Sequence, residues 1–174
     1  VGRLTSRTDG NGNTTTFTYD AKGNLTVTTD PYGNTASSTY NSMDRITSST
    51  NENGNKTTYE YDAMGRLTAA TNAAGIRTEY AYDKNGNAVS MTDGNGNKTT
   101  YTYDAENKLT KTVTPEGNTT ELVYDAAGRM VKIINANGNE MGLSYDADGN
   151  ATGMTDGNGY EAAYEYDALG RISK

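Results

Sequence analysis

The chain has 174 residues and a formal net charge of −7, a length that suits one ordinary domain. Leu, Ile, Val and Phe together supply only 19 residues, and such a composition with that charge is typical of a disordered chain. Disorder is excluded by the strict order in which 14 Tyr, 29 Thr and 20 Gly recur, because Tyr and Thr favour strands and Gly marks turns.

Missing residue types exclude several classes of function. Without Cys there is no disulfide, thiolate nucleophile or cysteine-ligated zinc, and without His there is no Ser-His-Asp triad or histidine metal site. The 22 Asp and Glu outnumber the 15 Lys and Arg, so nucleic-acid binding would lack its main source of affinity. No apolar run approaches the roughly 20 residues that span a bilayer. We therefore expect neither a nucleic-acid partner nor a membrane span.

A tyrosine recurs every 21 residues along the whole chain. These ladder tyrosines are Tyr19, Tyr40, Tyr61, Tyr82, Tyr103, Tyr124, Tyr145 and Tyr166. Seven of the eight are followed by Asp, and the exception is Asn41. Residues 1–174 are thus predicted to form a single uninterrupted array of about eight repeats. Because the chain starts at Val1 and stops within a repeat, we expect it to be a segment of a longer one.

Two turn signals divide each repeat. The first turns have the pattern Asp-x-x-Gly directly after a ladder tyrosine, and the second turns have Asp or Asn three residues before a glycine. In this spacing the side-chain oxygen accepts a backbone N–H two residues on, and glycine adopts the left-handed conformation that follows. The predicted structural turn residues are Asp20, Gly23, Asp62, Gly65, Asp125, Gly128, Asp167 and Gly170 in first turns, and Gly12, Gly33, Gly54 and Gly96 in second turns.

Segments of six and seven residues lie between the turns and read as strands. Thr57, Tyr59 and Tyr61 alternate with polar neighbours, as in a half-buried strand. A glycine bulge in the first turn would place Tyr19 opposite Leu25. For every ladder tyrosine to return to one face of the sheet, the two loops must differ in length by an odd number. We predict a three-residue loop at the first turn and a four-residue loop at the second.

The predicted fold class is all-β, with tandem 21-residue hairpins in one antiparallel sheet. Eight repeats supply about sixteen strands, and open sheets rarely exceed roughly ten strands without curling. We therefore expect a curved, spiralling sheet, either a β-solenoid or a shell wall, with the ladder tyrosines on its inner face.

The repeat units resemble the YD repeat, also called the Rhs repeat. The resemblance is carried by units such as Tyr61-Asp62-Ala63-Met64-Gly65-Arg66-Leu67, and it extends over all eight copies. It implies a large spiralling antiparallel sheet. In Rhs polymorphic toxins and in the B and C components of insecticidal toxin complexes, such a sheet forms a hollow shell around a toxin; related repeats occur in wall-associated proteins and teneurins.

Catalytic and metal sites are not expected. The toxin shells of the family end in a self-cleaving Asp-Pro-x-Gly core, and Asp30-Pro31-Tyr32-Gly33 has that pattern but falls in phase as an ordinary second turn. Second turns such as Asp9-Gly10-Asn11-Gly12-Asn13 resemble calcium loops, yet their first residue is Asp in four copies, Asn in three and Thr in one. We predict no enzyme activity, no cofactor and no metal.

Two surfaces are candidates for binding. Paired aromatic residues of the ladder and the turn tyrosines Tyr32 and Tyr160 could stack on sugar rings. Apolar residues stand where the shorter strand otherwise carries Thr or Ser on its outer face, and they form a candidate contact patch. The patch consists of Val89, Met91, Val131, Ile133 and Met154. Strand addition at the open sheet edges is a second route to self-association.

The sequence therefore predicts a structural, non-enzymatic segment of a secreted or surface-exposed bacterial protein. It would be either the wall of a shell around a protein partner or the body of an extracellular fibre. A glycan-binding or adhesive module is the alternative.

Overall fold

The computed structural model describes residues 2–167 and 169–173. Within them the chain forms sixteen β-strands and no helix. The strands pair antiparallel in chain order in one sheet, which confirms the predicted all-β hairpin array. They are β1 (Ser6–Thr8), β2 (Thr14–Tyr19), β3 (Leu25–Thr29), β4 (Thr35–Tyr40), β5 (Ile46–Thr50), β6 (Lys56–Tyr61), β7 (Leu67–Thr71), β8 (Arg77–Tyr82), β9 (Ala88–Thr92), β10 (Lys98–Tyr103), β11 (Leu109–Val113), β12 (Thr119–Tyr124), β13 (Met130–Ile134), β14 (Glu140–Tyr145), β15 (Ala151–Thr155) and β16 (Glu161–Ala163).

Two compact units make up the chain. Unit 1 comprises Val1–Ala81 and Thr92–Gly96, and unit 2 comprises Tyr82–Met91 and Asn97–Lys174. Both units are built from the same two strand lengths, six residues before a first turn and five after it. The strands end at turns in which an Asp or Asn side-chain oxygen accepts backbone N–H groups. These local bonds replace the backbone bonds that would continue the pairing of the two strands.

Both turns enclose loops of the same length, which corrects the predicted difference. Asp20 N donates to Asn24 O at 3.0 Å in a first turn, and Asp9 N donates to Asn13 O at 3.0 Å in a second turn. Each loop therefore contains three residues between its closing pair. The predicted four-residue second loop is wrong.

A β-bulge in the short strand accounts for the odd repeat length instead. Tyr19 pairs with Leu25 while Thr18 pairs with Val27, so Thr26 is the extra residue on β3. The same shift occurs between β10 and β11, where Thr110 is extra. Since the bulge absorbs one residue without turning the strand over, every ladder tyrosine can return to the same face.

The predicted pairs of ladder tyrosines with aliphatic residues are present. Tyr19 lies opposite Leu25, and Tyr61 lies opposite Leu67. At the end of unit 2, Tyr166 and Ile172 form an isolated antiparallel bridge. Directly opposed residues point to one side of a sheet, so these rings and aliphatic side chains share what we call the tyrosine face.

Neither unit encloses a large apolar core. Among the described residues Ala69 is the one buried hydrophobic residue, and no large side chain is fully buried. Ser48 and Ser90 are the buried polar residues. Most side chains within the strands are instead half-buried, on one face of the sheet or the other.

Ion pairs cover the face opposite the tyrosines. In unit 2, Lys111 Nζ lies 2.9 Å from Glu121 Oε1. In unit 1, Arg77 pairs with Glu60 and with Glu79, which flank Ala69 on the neighbouring strands. The long side chains lie over the small residues of this face and account for the burial of Ala69. None of the described segments forms a helix long and apolar enough to cross a membrane.

Candidate functional site, the edge of first turns

Each turn is closed by the side chain of its leading residue. Asp62 Oδ1 accepts bonds from Met64 N and Arg66 N, both at 2.9 Å. Asn51 Oδ1 accepts the equivalent bonds from Asn53 N and Asn55 N at 3.0 Å. The acceptor oxygen is common to aspartate and asparagine, so the turn does not require a charge.

The predicted turn glycines all have positive φ angles. Gly23 has φ of 101° and Gly54 has φ of 79°. The others follow the same pattern: Gly12, Gly33, Gly65, Gly96, Gly128 and Gly170. Their aspartate partners Asp20, Asp125 and Asp167 accept backbone bonds as Asp62 does.

Hydrogen bonds lower the pKa of the turn aspartates. The side-chain amide of Asn24 and then its backbone N–H hold the pKa of Asp20 below its usual range. The backbone N–H of Arg66 is the largest cause of the lowered pKa of Asp62. In both turns the donors bind the ionised form, which favours the charge.

The ladder tyrosines bond to the preceding repeat. The Tyr40 hydroxyl donates to Leu25 O at 2.8 Å, and the Tyr61 hydroxyl donates to Ile46 O at 2.8 Å. The same bond, across 15 residues of chain, is made by Tyr19, Tyr103, Tyr124, Tyr145 and Tyr166. Tyr82 ends β8 and is half-buried. The pairing of β3 with β4 runs from Thr29–Thr35 to Val27–Ser37, so the Tyr40 bond extends the contact between these strands beyond that range.

The residue after each first-turn glycine adds a contact that the sequence analysis missed. We call this the cation position: it holds Arg or Lys in six copies and Asn in three, namely Arg3, Asn24, Arg45, Arg66, Asn87, Lys108, Arg129, Asn150 and Arg171. The Arg129 guanidinium carbon lies 4.8 Å from the ring centroid of Tyr145. The same distance is 5.9 Å between Arg3 and Tyr19 and 5.9 Å between Arg45 and Tyr61. A cation at this distance over a tyrosine ring is attracted by its π electrons.

Arginines at the cation position also pair with the aspartate of their own turn. Arg66 Nε lies 2.7 Å from Asp62 Oδ2, and Arg129 Nε lies 2.8 Å from Asp125 Oδ2. Arg129 Nη1 also donates to Asp146 O at 2.9 Å, in the first turn of the following repeat. Around Arg129, the aspartate of one turn, the cation and the ladder tyrosine of the next repeat are therefore in contact along the edge of first turns. The recurrence of Arg and Lys every 21 residues was the sequence signal that could have predicted these contacts.

Two residues of the candidate patch, Ile133 and Met154, lie on the tyrosine face, which corrects their predicted placement on the opposite face. Ile133 pairs with Leu122, two residues before Tyr124, and Met154 pairs with Leu143, two residues before Tyr145. The bulge reverses the face expected from simple alternation. Val131 lies on the same strand as Ile133, and Val89 and Met91 lie in β9; all five patch residues are half-buried.

The turn tyrosines proposed for sugar contact are exposed. Tyr32 is 86% exposed and Tyr160 is 75% exposed, both at second turns. Asp30 Oδ1 accepts bonds from Tyr32 N and Asn34 N at 2.8 Å, so it closes a turn like the other aspartates. Within the described residues no three acidic side chains converge to hold a metal ion.

Comparison with protein families matches this geometry to one family over most of the chain. Residues 35–173 match the family model described as the teneurin YD-shell. The chain belongs to the YD-shell family. Residues 1–35 match the model described as the RHS repeat, which agrees with the YD or Rhs resemblance of the repeat units. The family is built from structural shell repeats, so the chain is a structural repeat segment.

Solved structures share the fold of this YD-shell segment. A Tc holotoxin pore of Photorhabdus luminescens, carrying a substitution in TccC3, matches with a TM-score of 0.61 and 18% identity over 98% of this chain. TcdB2–TccC3 without its hypervariable C-terminal region matches with a TM-score of 0.51 and 18% identity over 96% of this chain. The segment spans only 12% and 13% of those two chains. No curated protein matches the sequence.

Proposed function

We propose that this chain is a non-enzymatic wall segment of a hollow shell, within a large secreted or surface-exposed bacterial protein of the YD/Rhs type. The observation that carries the proposal is the bond from seven ladder tyrosines to the preceding repeat. Within each unit it ties successive hairpins together without a conventional core. Membership of the YD-shell family over residues 35–173 supports the shell in particular.

Electron microscopy of the full-length native protein, purified without refolding, tests this proposal. Closed hollow particles of uniform size are the expected result. Long open filaments would contradict the shell and would instead support the other structural role, the repeating body of an extracellular fibre.

A protein partner enclosed by the wall would meet the tyrosine face. In unit 2 this face carries Leu122, Ile133 and Met141 side by side across three strands. Such an apolar row suits contact with a protein surface or with a second copy of the chain. Self-association through the sheet edges at β1 and β16 is the remaining route.

Charge on the candidate patch tests its role in self-association. We expect paired substitutions Val131→Glu and Ile133→Glu to abolish association of the chain, because they place two like charges in the apolar contact. Sedimentation velocity at several concentrations measures the change, with Val123→Glu on the opposite face as the matched control. An unchanged association constant would remove the patch from the proposal.

Glycan binding is a second candidate because Tyr32 and Tyr160 are exposed at second turns. An exposed ring beside amide and carboxylate groups is a common way to hold a sugar. A glycan array of the native protein tests this function. Binding that is lost in Tyr32→Ala or Tyr160→Ala would support it, and an array without binding would end it.

A further inference from the structure

The cation of the preceding repeat fills the space beside three first-turn glycines, whereas a Cβ added at Gly86, Gly149 or Gly170 meets nothing within 4 Å. A Cβ atom at Gly65 would overlap the Arg45 guanidinium, and one at Gly23 would overlap that of Arg3. In unit 2, a Cβ at Gly128 would lie 2.9 Å from Lys108 Nζ. A larger residue would force the cation outward and away from the tyrosine ring on which it lies.

Two first turns lack glycine. In both cases the cation position of the preceding repeat holds asparagine instead of Arg or Lys. Asp44 has φ of 59° and Asn107 has φ of 65°, so each adopts the left-handed conformation with a side chain present. Asn24 Nδ2 donates to Asp44 Oδ1 at 2.9 Å, and Asn87 Nδ2 donates to Asn107 Oδ1 at 2.7 Å. The shorter asparagine leaves room for the second side chain, whose oxygen accepts a hydrogen bond from the asparagine amide.

The same exchange runs through the sequence at a separation of 20 residues. All five cations that have a residue 20 positions later are followed there by glycine, and both non-glycine residues are preceded at that separation by asparagine. The pairs are Arg3–Gly23, Asn24–Asp44, Arg45–Gly65, Arg66–Gly86, Asn87–Asn107, Lys108–Gly128, Arg129–Gly149 and Asn150–Gly170.

The edge of second turns provides an independent case. Ile76 stands where seven other repeats carry Asn or Tyr after the glycine. The first loop residue of the next second turn is Gly94, and a Cβ there would overlap Ile76 Cγ2. A large residue in one repeat is again matched by glycine in the next.

We infer that neighbouring repeats recognise one another by a volume match across these edges. A cation that lies against the residue 20 positions later, as Arg3, Arg45 and Lys108 do, leaves room there only for glycine, whereas asparagine admits Asp or Asn. The partner of this surface is another YD repeat, in the same chain or in a second copy, and the match limits which repeats can lie side by side. The inference concerns the order of repeats and holds for a shell and for a fibre alike.

A double-mutant cycle at residues 45 and 65 tests the match. Gly54→Asn is the control, since Gly54 has nearly the φ of Gly65, 79° against 76°, and nothing lies within 4 Å of its added Cβ. Gly54→Asn therefore measures the cost of the left-handed conformation alone. Gly65→Asn adds the displacement of Arg45 from Tyr61.

Thermal melting of the protein measures each step. We expect Gly65→Asn to lower the Tm by about 2–4 °C more than Gly54→Asn does. In the Arg45→Asn background the two substitutions should cost the same, because an Asn–Asn pair already exists at residues 87 and 107. The inference would be overturned if Gly65→Asn and Gly54→Asn lowered the Tm equally in the wild-type background. It would also be overturned if Gly65→Asn lowered the Tm by the same amount with and without Arg45→Asn.

The reverse exchange in unit 2 keeps the test decisive if Gly65→Asn does not fold. Asn87→Arg should lower the Tm while Asn107 is present and should lower it less in the Asn107→Gly background, which also relieves a positive φ. A Tm change from Asn87→Arg that is the same in both backgrounds would also overturn the inference.

Discussion

A tyrosine hydroxyl and a neighbouring cation do much of the binding between repeats at the scale of single residues. The Tyr61 hydroxyl donates to Ile46 O, and Arg45 lies over the Tyr61 ring. Both contacts link one repeat to the one before it. A half-exposed ring can serve in this way because its polar tip is satisfied by the backbone, so its burial does not leave a donor unpaired.

Removing one hydroxyl should have a measurable cost. We expect Tyr61→Phe to destabilise the protein by about 0.5–1.5 kcal/mol, because Ile46 O loses its donor while the ring and its cation contact stay. Tyr59→Phe is the matched control, since the Tyr59 hydroxyl makes no hydrogen bond within the described part of the chain. Urea unfolding measures both variants. Equal costs would show that the hydroxyl bond does not stabilise the edge.

The turn aspartates predict the response to acid. Hydrogen bonds hold the pKa of Asp9, Asp20 and Asp30 below their usual range, chiefly from the side-chain amide four residues on. A group whose folded pKa is lowered adds stability above its unfolded pKa, near 3.9, and that stability is lost as the pH falls through the folded value. We therefore expect the Tm to be flat between pH 5 and 7 and to fall below about pH 4.

A triple variant separates this effect from general acid sensitivity. Asp9→Asn, Asp20→Asn and Asp30→Asn keep an acceptor oxygen at each turn, as Asn51 does in the natural chain, but do not titrate. The variant should lose less Tm than the wild type between pH 5 and pH 2. A parallel loss in both proteins would assign the acid response to other groups.

At the scale of elements, the hairpin is defined by a closed turn and a bulge. The Asp30 and Thr114 turns are a natural comparison, because each has proline at its second position and glycine at its fourth. Thr114 still forms the backbone bonds of the turn, from Thr114 N to Asn118 O and from Gly117 N to Thr114 O, both at 2.9 Å. The Thr114 hydroxyl stands where the other turns carry an amide or carboxylate, and this buried hydroxyl forms none of the side-chain bonds that close those turns.

Thr114→Asp should therefore strengthen this hairpin. The new carboxylate can accept the two backbone bonds that Asp30 accepts, and we expect a gain of about 0.5–1 kcal/mol. Differential scanning calorimetry should show a Tm higher by about 2–4 °C. Thr114→Asn should give a similar gain at neutral pH if the oxygen rather than the charge is responsible. A loss of Tm in both variants would refute the argument.

At the scale of the whole molecule, stability comes from many contacts that each bury little surface. The solvent-accessible area is 11381 Å² for a mass of 18.6 kDa. A compact globular protein of that mass exposes about 8,200 Å². The small buried apolar area per residue explains why bonds between adjacent repeats, rather than a central core, hold the array together.

The heat capacity of unfolding should reflect this architecture. A globular protein of 174 residues would show a change of about 2.1–2.6 kcal/mol/K. Because less apolar surface is buried, we expect a value below about 2 kcal/mol/K for this chain. Calorimetry over a range of pH, with the unfolding enthalpy plotted against Tm, measures it. A value within the globular range would mean that more apolar surface is covered in solution.

The sequence by itself determined the repeat, the positions of the turns and the pairs of ladder tyrosines with aliphatic residues. These features depend on local chemistry: an Asx side chain and a left-handed glycine close a turn wherever they occur, and the turn then aligns its two strands. The Tyr19 and Leu25 pair followed from seven residues of chain, 19–25. Repetition of the pattern was enough to indicate the family, because the ladder tyrosine and the second-turn glycine recur at the same spacing in all eight copies.

Only the tertiary structure decided how the odd repeat length is absorbed, which face carries the patch, and where the cations lie. A bulge at Thr26 and a longer second loop are equally compatible with a 21-residue repeat. Which of the two forms depends on the backbone hydrogen bonds to both neighbouring strands. That choice placed Ile133 and Met154 on the tyrosine face. The match between Arg45 and Gly65 links residues 20 positions apart, so it becomes visible only when adjacent repeats are packed together.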